Sequence, residues 1–223
     1  MKDVSIIIPT YNEAENIGSL LVHIDRNINS KSYEVIVVDD DSPDNTYAIV
    51  RKISKHNKNI KAICRKNERG LGTAVLGGIL CSSGERIIVM DADWSHNPSY
   101  LTDLINSKAD IAIGSRYCPG GKTIEWGSFR KLMSSVSTKV ASIILGMPVY
   151  DPMSGLFMCS RSAIDNVMFK EVHGFKILFL ILSKNKNASI EEIPIDFVDR
   201  ANGESKANVK EIFRFLRMCY AII

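Results

Sequence analysis

Short runs rich in isoleucine and valine alternate with segments of helical apolar spacing along the first half of the chain. The segment at 13–26 shows that spacing, with apolar residues at Ile17, Leu20, Leu21 and Ile24. Strands that alternate with helices of this length need crossover connections and therefore build a mostly parallel sheet. The predicted strands are 4–8, 34–38, 60–64, 86–90 and 111–114, and the predicted helices are 13–26, 45–56, 70–81 and 99–107.

The pattern changes after Gly114, where a stretch rich in glycine and polar residues begins. No repeat or low-complexity linker interrupts the chain, so we predict one α/β domain over 1–223, with 1–115 as a nucleotide-binding half. The later elements are a polar stretch at 117–127, a helix at 129–145, a strand at 155–159, a helix at 175–183, a last strand at 190–197, a polar loop at 199–207 and a closing helix at 209–222.

Charge and cysteine content exclude several classes of protein. The formal net charge of +3 is too small to indicate a nucleic-acid-binding protein. The five cysteines lack CxxC spacing, which argues against a thiolate metal site and favours a reducing cytosolic setting. There is no leader-like segment after Met1, and no apolar run approaches the ~18 residues of a spanning helix. We therefore expect the chain as given not to cross a membrane.

Two carboxylates, Asp91 and Asp93, directly follow the apolar run 86–90. A buried strand that ends this way delivers both to the carboxyl edge of the sheet, where α/β folds bind ligands and where oxygen ligands suit a hard divalent cation. The alternative is that one carboxylate caps a helix and the other is a surface charge. His96 is interpreted as a hydrogen-bonding turn residue, because hard cations prefer oxygen.

Polar clusters also follow the first two predicted strands. In the first, Thr10 or Asn12 can cap the next helix, and Tyr11 can stack on a base. In the second, three adjacent aspartates repel one another unless hydrogen-bond donors or a cation compensate their charge, so Asp40 is predicted to bind a nucleobase edge or a ribose hydroxyl. The alternative is that one of the three caps the helix that follows. Asp44 is predicted to cap a helix.

Three further features are candidates for anion or sugar binding. The glycines of 69–74 fit either a phosphate loop or close helix packing. Arg116 ends the fifth strand, while Arg130 and Ser134 are spaced i, i+4 on one helix, where they can hold a phosphate together. Arg130 can instead be a solvated charge, and Asp151 can accept a bond from a sugar hydroxyl or start a turn.

Taken in order, these motifs resemble a known family. The set comprises IIIPTYNEAENI, VVDDDSPDNT, RGLGTAV, MDADWSHNP, IGSRY, W-x3-R-x3-S, DPMSGLF, GFKIL and R-x2-GESK, from about residue 4 to 216. It is similar to the polyprenol-phosphate (dolichol-phosphate) mannosyltransferases of glycosyltransferase family 2. No single motif of the set is specific, whereas the set in this order and spacing is.

The resemblance implies a GT-A fold with a C-terminal amphipathic helix, a GDP-mannose donor and Mg²⁺ or Mn²⁺. It also implies transfer of mannose with inversion to dolichyl or polyprenyl phosphate at the cytosolic membrane face, with 116–206 as the acceptor-binding half. The residues carried over are Pro9, Tyr11, Glu13, Asp40, Asp91, Arg200 and Lys206 for the nucleotide-sugar, with Ser205 on the same mobile loop; Asp91, Asp93 and Ser95 for the metal; Arg116, Arg130 and Ser134 for the acceptor phosphate; and Asp93, Arg116 and Arg130 for catalysis.

The chain departs from the family pattern at four positions. Ser95 stands where many relatives have Gln, Leu180 where they often have Glu, Asn202 in place of a basic residue, and Phe157 where some branches have Arg. The alternatives that stay open are a polyprenyl-phosphate glucosyltransferase using UDP-glucose and a non-catalytic nucleotide-sugar binding module. A phosphatase with Asp91 as nucleophile lacks companion motifs.

The predicted closing helix combines a broad apolar face with the cations Lys210, Arg214 and Arg217. It fits either the membrane interface, over 207–223, or a helix docked on the domain. Since the pattern stops at Ile223 without a break, we expect either a catalytic fragment of a longer membrane protein or a subunit whose anchor lies in a partner.

Overall fold

The computed structural model describes residues 2–28, 32–165, 167 and 177–198. The strands are β1 (Lys2–Thr10), β2 (Tyr33–Asp39), β3 (Ile60–Cys64), β4 (Gly84–Val89), β5 (Ile111–Ser115), β6 (Lys122–Ile124), β7 (Phe157–Ser160), β8 (Ile190–Pro194) and β9 (Asp196–Val198). The helices are α1 (Ala14–Asn27), α2 (Thr46–Ser54), α3 (Leu71–Leu80), α4 (Tyr100–Asn106), α5 (Ser128–Leu145), α6 (Arg161–Asp165) and α7 (Ile177–Lys184).

The main sheet has the order β3-β2-β1-β4-β7-β5-β8. Its strands are parallel except β7, which runs antiparallel to β4 and β5. The strand order reverses at β1, which opens a crevice outside the carboxyl ends of β1 and β4. Because β7 runs the other way, the loop before Phe157 reaches the same edge. The prediction of a mostly parallel sheet flanked by helices is confirmed.

Two hydrophobic clusters cover the two faces of this sheet. Ile7 belongs to a cluster with α3 and α7, whereas Ile6 and Ile8 belong to one with α1 and α4. Side chains of a strand alternate between faces, so burial of both faces requires nearly every residue of a central strand to be apolar. This explains the continuous isoleucine and valine runs of the sequence.

The predicted last strand, 190–197, was wrong as a single element. The chain leaves the main sheet at Ile195, whose N–H donates to Ser115 while its carbonyl accepts from Lys122. Strand β8 therefore pairs with β5, and β9 pairs with β6 in a separate two-stranded sheet. Strand β6 lies in 117–127, for which no regular structure was predicted, and α6 was also missed.

Several predictions lie outside the described residues, including the loop 199–207 and the helix 209–222. The division into two halves stays a prediction. Within the described part of the chain, no helix combines the length and the apolarity needed to span a bilayer.

A buried carboxylate stabilises the edge of the sheet opposite the crevice. Glu34 accepts from the Ser5 hydroxyl and the Ser83 N–H and lies 2.6 Å from the Lys61 ammonium. Burial alone would raise the pKa of Glu34, but Lys61, Ser83 and Ser5 together lower it to about 2. Its ionised form is therefore specifically stabilised by the native structure.

We expect Glu34→Gln to reduce the free energy of unfolding by about 3 kcal/mol at pH 7. Because the folded pKa lies below the unfolded one, the Glu34 contribution is complete above ~pH 5 and is lost as the pH falls towards 2. Urea denaturation of both proteins at pH 7 and pH 3 measures this, and the difference between them should shrink at pH 3. Equal stability at pH 7 would contradict it.

Candidate active site

Five polar segments meet at the carboxyl edge of the main sheet. Each follows a strand or, in the last case, precedes the antiparallel strand β7, and the parallel arrangement brings them together. They are 9–13, 39–44, 91–96, 115–117 and 151–155. Arg130 and Ser134 lie on α5, whereas Arg200, Ser205 and Lys206 lie outside the described residues. The sequence prediction of a single polar edge therefore holds for the described site residues.

The acidic pair follows β4 and does not cap α4, the next helix in the chain. Asp93 accepts the N–H of Ser95 at 3.1 Å, and α4 begins later, with Ser99 at its N-cap position. The Asp91 side chain is 26% exposed, while Asp93 is buried. The alternative that one carboxylate caps the following helix was wrong, and Asp91 keeps an accessible surface at the carboxyl end of β4.

Asp91 packs against Gly155 in the loop before β7. A Cβ added at Gly155 would lie 2.6 Å from Asp91 Oδ2 and 3.3 Å from His96 Cε1. His96 is fully buried, with Nδ1 3.9 Å from Asp91 Oδ2. Glycine is needed here for close approach, because any other residue would displace the carboxylate. Sequence analysis missed this role of Gly155.

The donor set suits a hard divalent cation. Within the described ranges, no group of three or more His, Cys, Asp and Glu side chains is assembled to hold a metal. Ser95 is buried, and its hydroxyl lies 3.4 Å from His96 Nδ1. Two carboxylates with room for ligand oxygens and water match the way Mg²⁺ is usually bound with substrate phosphates. The full set of Asp91, Asp93 and Ser95 stays a prediction.

The three adjacent aspartates after β2 do not share a single binding partner. Asp39 accepts from the Thr10 hydroxyl at 3.0 Å. Asp40 accepts from Arg65 through Nε at 2.8 Å and Nη2 at 2.5 Å, and from the Gly70 N–H at 2.8 Å. Sequence analysis missed Arg65, which lies far from Asp40 in the chain and carries no motif. These donors relieve the repulsion between the carboxylates.

Asp44 ties two helices together at their N-termini. It accepts the N–H of Ala14 at 2.9 Å and of Thr46 at 3.0 Å, so one carboxylate satisfies donors of α1 and α2. Burial would raise the pKa of Asp44, but these N–H groups and the Thr46 hydroxyl lower it. The capping prediction for Asp44 is supported, whereas Thr10 and Asn12 do not cap α1.

Tyr11, which follows β1, forms a cation–π pair with Arg69. The Arg69 guanidinium lies 4.6 Å from the centroid of the Tyr11 ring. Pro9 is buried in β1, and Glu13 accepts from the Asn16 amide at 2.8 Å. Gly70, which follows Arg69, has a positive φ of 150° and stands at the N-cap position of α3, where its N–H donates to Asp40.

Arg116 forms a buried ion pair with Asp151, which corrects the interpretation of Asp151 as a sugar ligand. Its Nε and Nη2 atoms each donate to Asp151 at 2.8 Å, and its backbone N–H donates at 3.0 Å. Asp151 is fully buried, so it does not contact a sugar, but it does start a turn, in which its carbonyl accepts the N–H of Ser154 at 3.3 Å. Burial would lower the pKa of Arg116, but Asp151 raises it above its ordinary value, with a smaller contribution from Asp91. Asp91 and Arg116 follow β4 and β5, which run in the same direction in one sheet, so they lie at the same sheet edge.

Two aromatic residues connect the predicted phosphate-binding side chains. Tyr117 donates its hydroxyl to Ser134 at 2.7 Å. The Trp126 ring lies 4.2 Å from the Arg130 guanidinium and 5.7 Å from that of Arg116. The structure thus brings Arg116, Arg130 and Ser134 into one cluster, and Arg130 is packed rather than fully solvated.

Comparison with known proteins identifies the family. The model of glycosyl transferase family 2 matches residues 5–168. The chain is 33% identical to dolichol-phosphate mannosyltransferase of Saccharomyces cerevisiae, over 96% of this chain and 85% of that protein. This chain belongs to glycosyl transferase family 2.

Other members of the family are also similar to this chain. Dolichol-phosphate mannosyltransferase of Pyrococcus furiosus is 42% identical over 99% of this chain, which spans 63% of that relative's length. Polyprenol monophosphomannose synthase of Mycolicibacterium smegmatis is 32% identical over 92% of this chain and 82% of its own. The family resemblance given by the sequence motifs is confirmed.

Solved structures agree on the fold. Glucosyl-3-phosphoglycerate synthase of Mycobacterium tuberculosis, in complex with uridine diphosphate, superposes with a TM-score of 0.71 at 17% identity, over 99% of this chain and 80% of that one. A complex of the same enzyme with Mn²⁺, UDP-glucose and phosphoglyceric acid gives a TM-score of 0.69 at 18% identity, over 99% and 78%. At this identity the likeness concerns the fold, and the GT-A-type prediction is confirmed.

Proposed function

We propose that this family 2 glycosyltransferase moves mannose, with inversion, from GDP-mannose to a dolichyl or polyprenyl phosphate. The observation that carries the proposal is the acidic pair Asp91 and Asp93 after β4, at the same sheet edge as the Arg116–Asp151 pair after β5. The named activities of three relatives at 32–42% identity support mannose and a lipid phosphate as substrates.

In the proposed donor site, Asp91 and Asp93 hold Mg²⁺ or Mn²⁺, with Ser95 beside them. Bound there, the cation would neutralise charge on the departing diphosphate. The Mn²⁺ complex of the structural neighbour with UDP-glucose is in line with this choice. Tyr11 would stack on the base, with Pro9, Glu13 and Asp40 around the nucleoside. The roles of Arg200 and Lys206 rest on the resemblance alone.

In the proposed acceptor site, Arg116, Arg130 and Ser134 hold the lipid phosphate. A phosphate monoester has a second pKa of ~6, so it already carries an attacking oxyanion near neutral pH. No protein base is then needed, and the task of the arginines is to align that oxygen with the anomeric carbon. Catalysis by Asp93, Arg116 and Arg130 is therefore positioning and charge stabilisation.

The outer face of α5 supports a membrane surface as partner. Leu132, Val136, Val140 and Ile143 recur at helical spacing there and are 62%, 49%, 37% and 78% exposed. They lie on the side of the helix opposite the buried Ala141. An apolar stripe of this kind on the helix that carries Arg130 fits contact with the bilayer that holds the acceptor, on its cytosolic side.

We expect the double change Val136→Asp and Ile143→Asp to weaken cosedimentation with vesicles containing anionic lipid by about 10-fold or more, since two charges would enter the apolar interface. Both side chains are exposed, so the melting temperature should stay the same. Leu80→Asp, at a 70% exposed leucine on α3, is the matched control. Equal vesicle binding by all three proteins would contradict the membrane role of α5.

Incubation with labelled nucleotide-sugars tests the whole proposal. The protein is mixed with vesicles that contain polyprenyl phosphate, and GDP-mannose or UDP-glucose is supplied before lipid extraction. Label in the lipid fraction only from GDP-mannose is expected. Label only from UDP-glucose would establish the glucosyltransferase instead, and nucleotide-sugar binding without transfer would favour the non-catalytic module.

A further inference from the structure

We propose that Asp151 is a positioning residue that fixes the orientation of Arg116 and cancels its charge. This inference rests on the proposed function, in which Arg116 contacts the acceptor phosphate. Arg116 then acts on the acceptor phosphate mainly through a directed hydrogen bond, because its long-range electrostatic attraction is cancelled by Asp151.

The geometry restricts Arg116 to one orientation. Asp151 accepts from the Arg116 backbone N–H, from Nε and from Nη2, at 3.0, 2.8 and 2.8 Å. Three bonds to one carboxylate fix both the backbone and the guanidinium plane. Among the described residues, no acceptor bonds to Nη1, so this nitrogen is the part of the fork left to face a ligand.

Asp151 is itself held by the neighbouring strand. Glu192, on β8, accepts the N–H of Tyr150 at 2.7 Å and of Asp151 at 2.9 Å. Asp151 has no exposed surface, so water does not compete for its oxygens. The orientation of Arg116 is therefore set by β8 and the loop before β7, which are remote from Arg116 in sequence.

Aromatic rings close the other sides of the guanidinium. The centroids of Tyr117, Trp126 and Phe197 lie 5.2, 5.7 and 5.4 Å from Arg116 Cζ. These rings attract the cation but do not neutralise it. The Asp151 carboxylate does neutralise it, which makes the pair electrically balanced as a unit.

Asp151→Asn tests the inference because it keeps the shape but removes the charge and one acceptor. The asparagine NH₂ group must face an Arg116 donor, so the fork loses its fixed orientation. We expect kcat to fall about 10-fold or more. The acceptor KM should stay within about threefold and should rise more steeply with salt, because Arg116 now carries an uncompensated charge. An unchanged kcat, or an acceptor KM that rises as much as kcat falls, would overturn the inference.

A second variant covers the case in which Asp151→Asn does not fold. Arg116→Lys leaves Asp151 with a cationic partner but replaces the planar fork with a single ammonium. It should fold and show the same fall in kcat with little change in acceptor KM. A wild-type kcat for Arg116→Lys would contradict the need for a fixed fork.

Two controls separate this inference from the proposed function. Arg116→Ala removes the ligand contact itself, so unchanged acceptor kinetics in that variant would refute the acceptor site, whatever Asp151→Asn does. Glu34→Gln also removes a buried carboxylate charge that is paired, here with the half-exposed Lys61 at the opposite edge of the sheet, and should lower stability without changing kcat or either KM. A purely structural role of Asp151 would make Asp151→Asn resemble that control.

Discussion

The double variant Asp91→Asn and Asp93→Asn should lose turnover by about 10³-fold or more while keeping its fold. Asparagine preserves the shape of both side chains but removes the two negative charges that favour a divalent cation. The N-terminus of α4 is not affected, since this helix begins at Tyr100 with Ser99 at its N-cap position. Turnover is measured with labelled GDP-mannose, and Mn²⁺ binding is measured by titration calorimetry. Both turnover and binding should be lost together in the double variant.

Asp103→Asn provides the matched control for this variant. Asp103 lies exposed in the first turn of α4, so the same chemical change occurs a short distance from the acidic pair. The control should bind Mn²⁺ and turn over like the wild type. Full activity in the double variant would refute the metal role of Asp91 and Asp93.

Gly155→Ala should weaken Mn²⁺ binding by about 10-fold or more, although it changes no charged residue. The new Cβ would lie 2.6 Å from Asp91 Oδ2, a distance that forces the carboxylate or the loop to move. Supporting contacts of this kind typically change metal affinity 10- to 100-fold. Calorimetric titration with Mn²⁺ in the absence of substrate measures the effect without relying on activity.

Gly18→Ala is the matched glycine control. Gly18 lies within α1, and a Cβ there meets its nearest neighbour, Ile49, at an ordinary 3.9 Å. It should leave Mn²⁺ binding unchanged and raise stability by about 0.5–1 kcal/mol, because glycine is unfavourable inside a helix. Wild-type Mn²⁺ affinity in Gly155→Ala would mean that Asp91 does not need its present position.

The sequence predicted most of the sheet because both of its faces are buried. Continuous isoleucine and valine runs at β1, β2 and β4 are a local signal, which indicates a buried strand without information from distant residues. The short strands β6 and β9 have no such signal, since their residues are partly exposed and pair with each other in a separate sheet. Their existence depends on where the chain leaves β8.

The residues of the candidate site also fall into those that a local pattern predicts and those whose partners are distant in sequence. Asp91, Asp93 and Arg116 were predicted as site residues because each lies within three residues of the end of a predicted strand, and their positions at the sheet edge agree with that, while their roles stay predictions. Arg65 and Gly155 were missed because their partners, Asp40 and Asp91, are remote in sequence. Asp151 was noticed, but its partner was not.

The sequence alone therefore determined the alternation of strands and helices, the polar edge and the family to which the motifs belong. The first two follow from local periodicity and from the rule that parallel strands end at one edge, whereas the family follows from the resemblance of the ordered set of motifs. Only the tertiary structure decided three pairings: Arg65 donates hydrogen bonds to Asp40, Gly155 leaves space for the Asp91 carboxylate, and Asp151 accepts hydrogen bonds from Arg116. Such pairings join distant segments, and their energy depends on burial and on ångström-scale distance, which no local pattern of residues records.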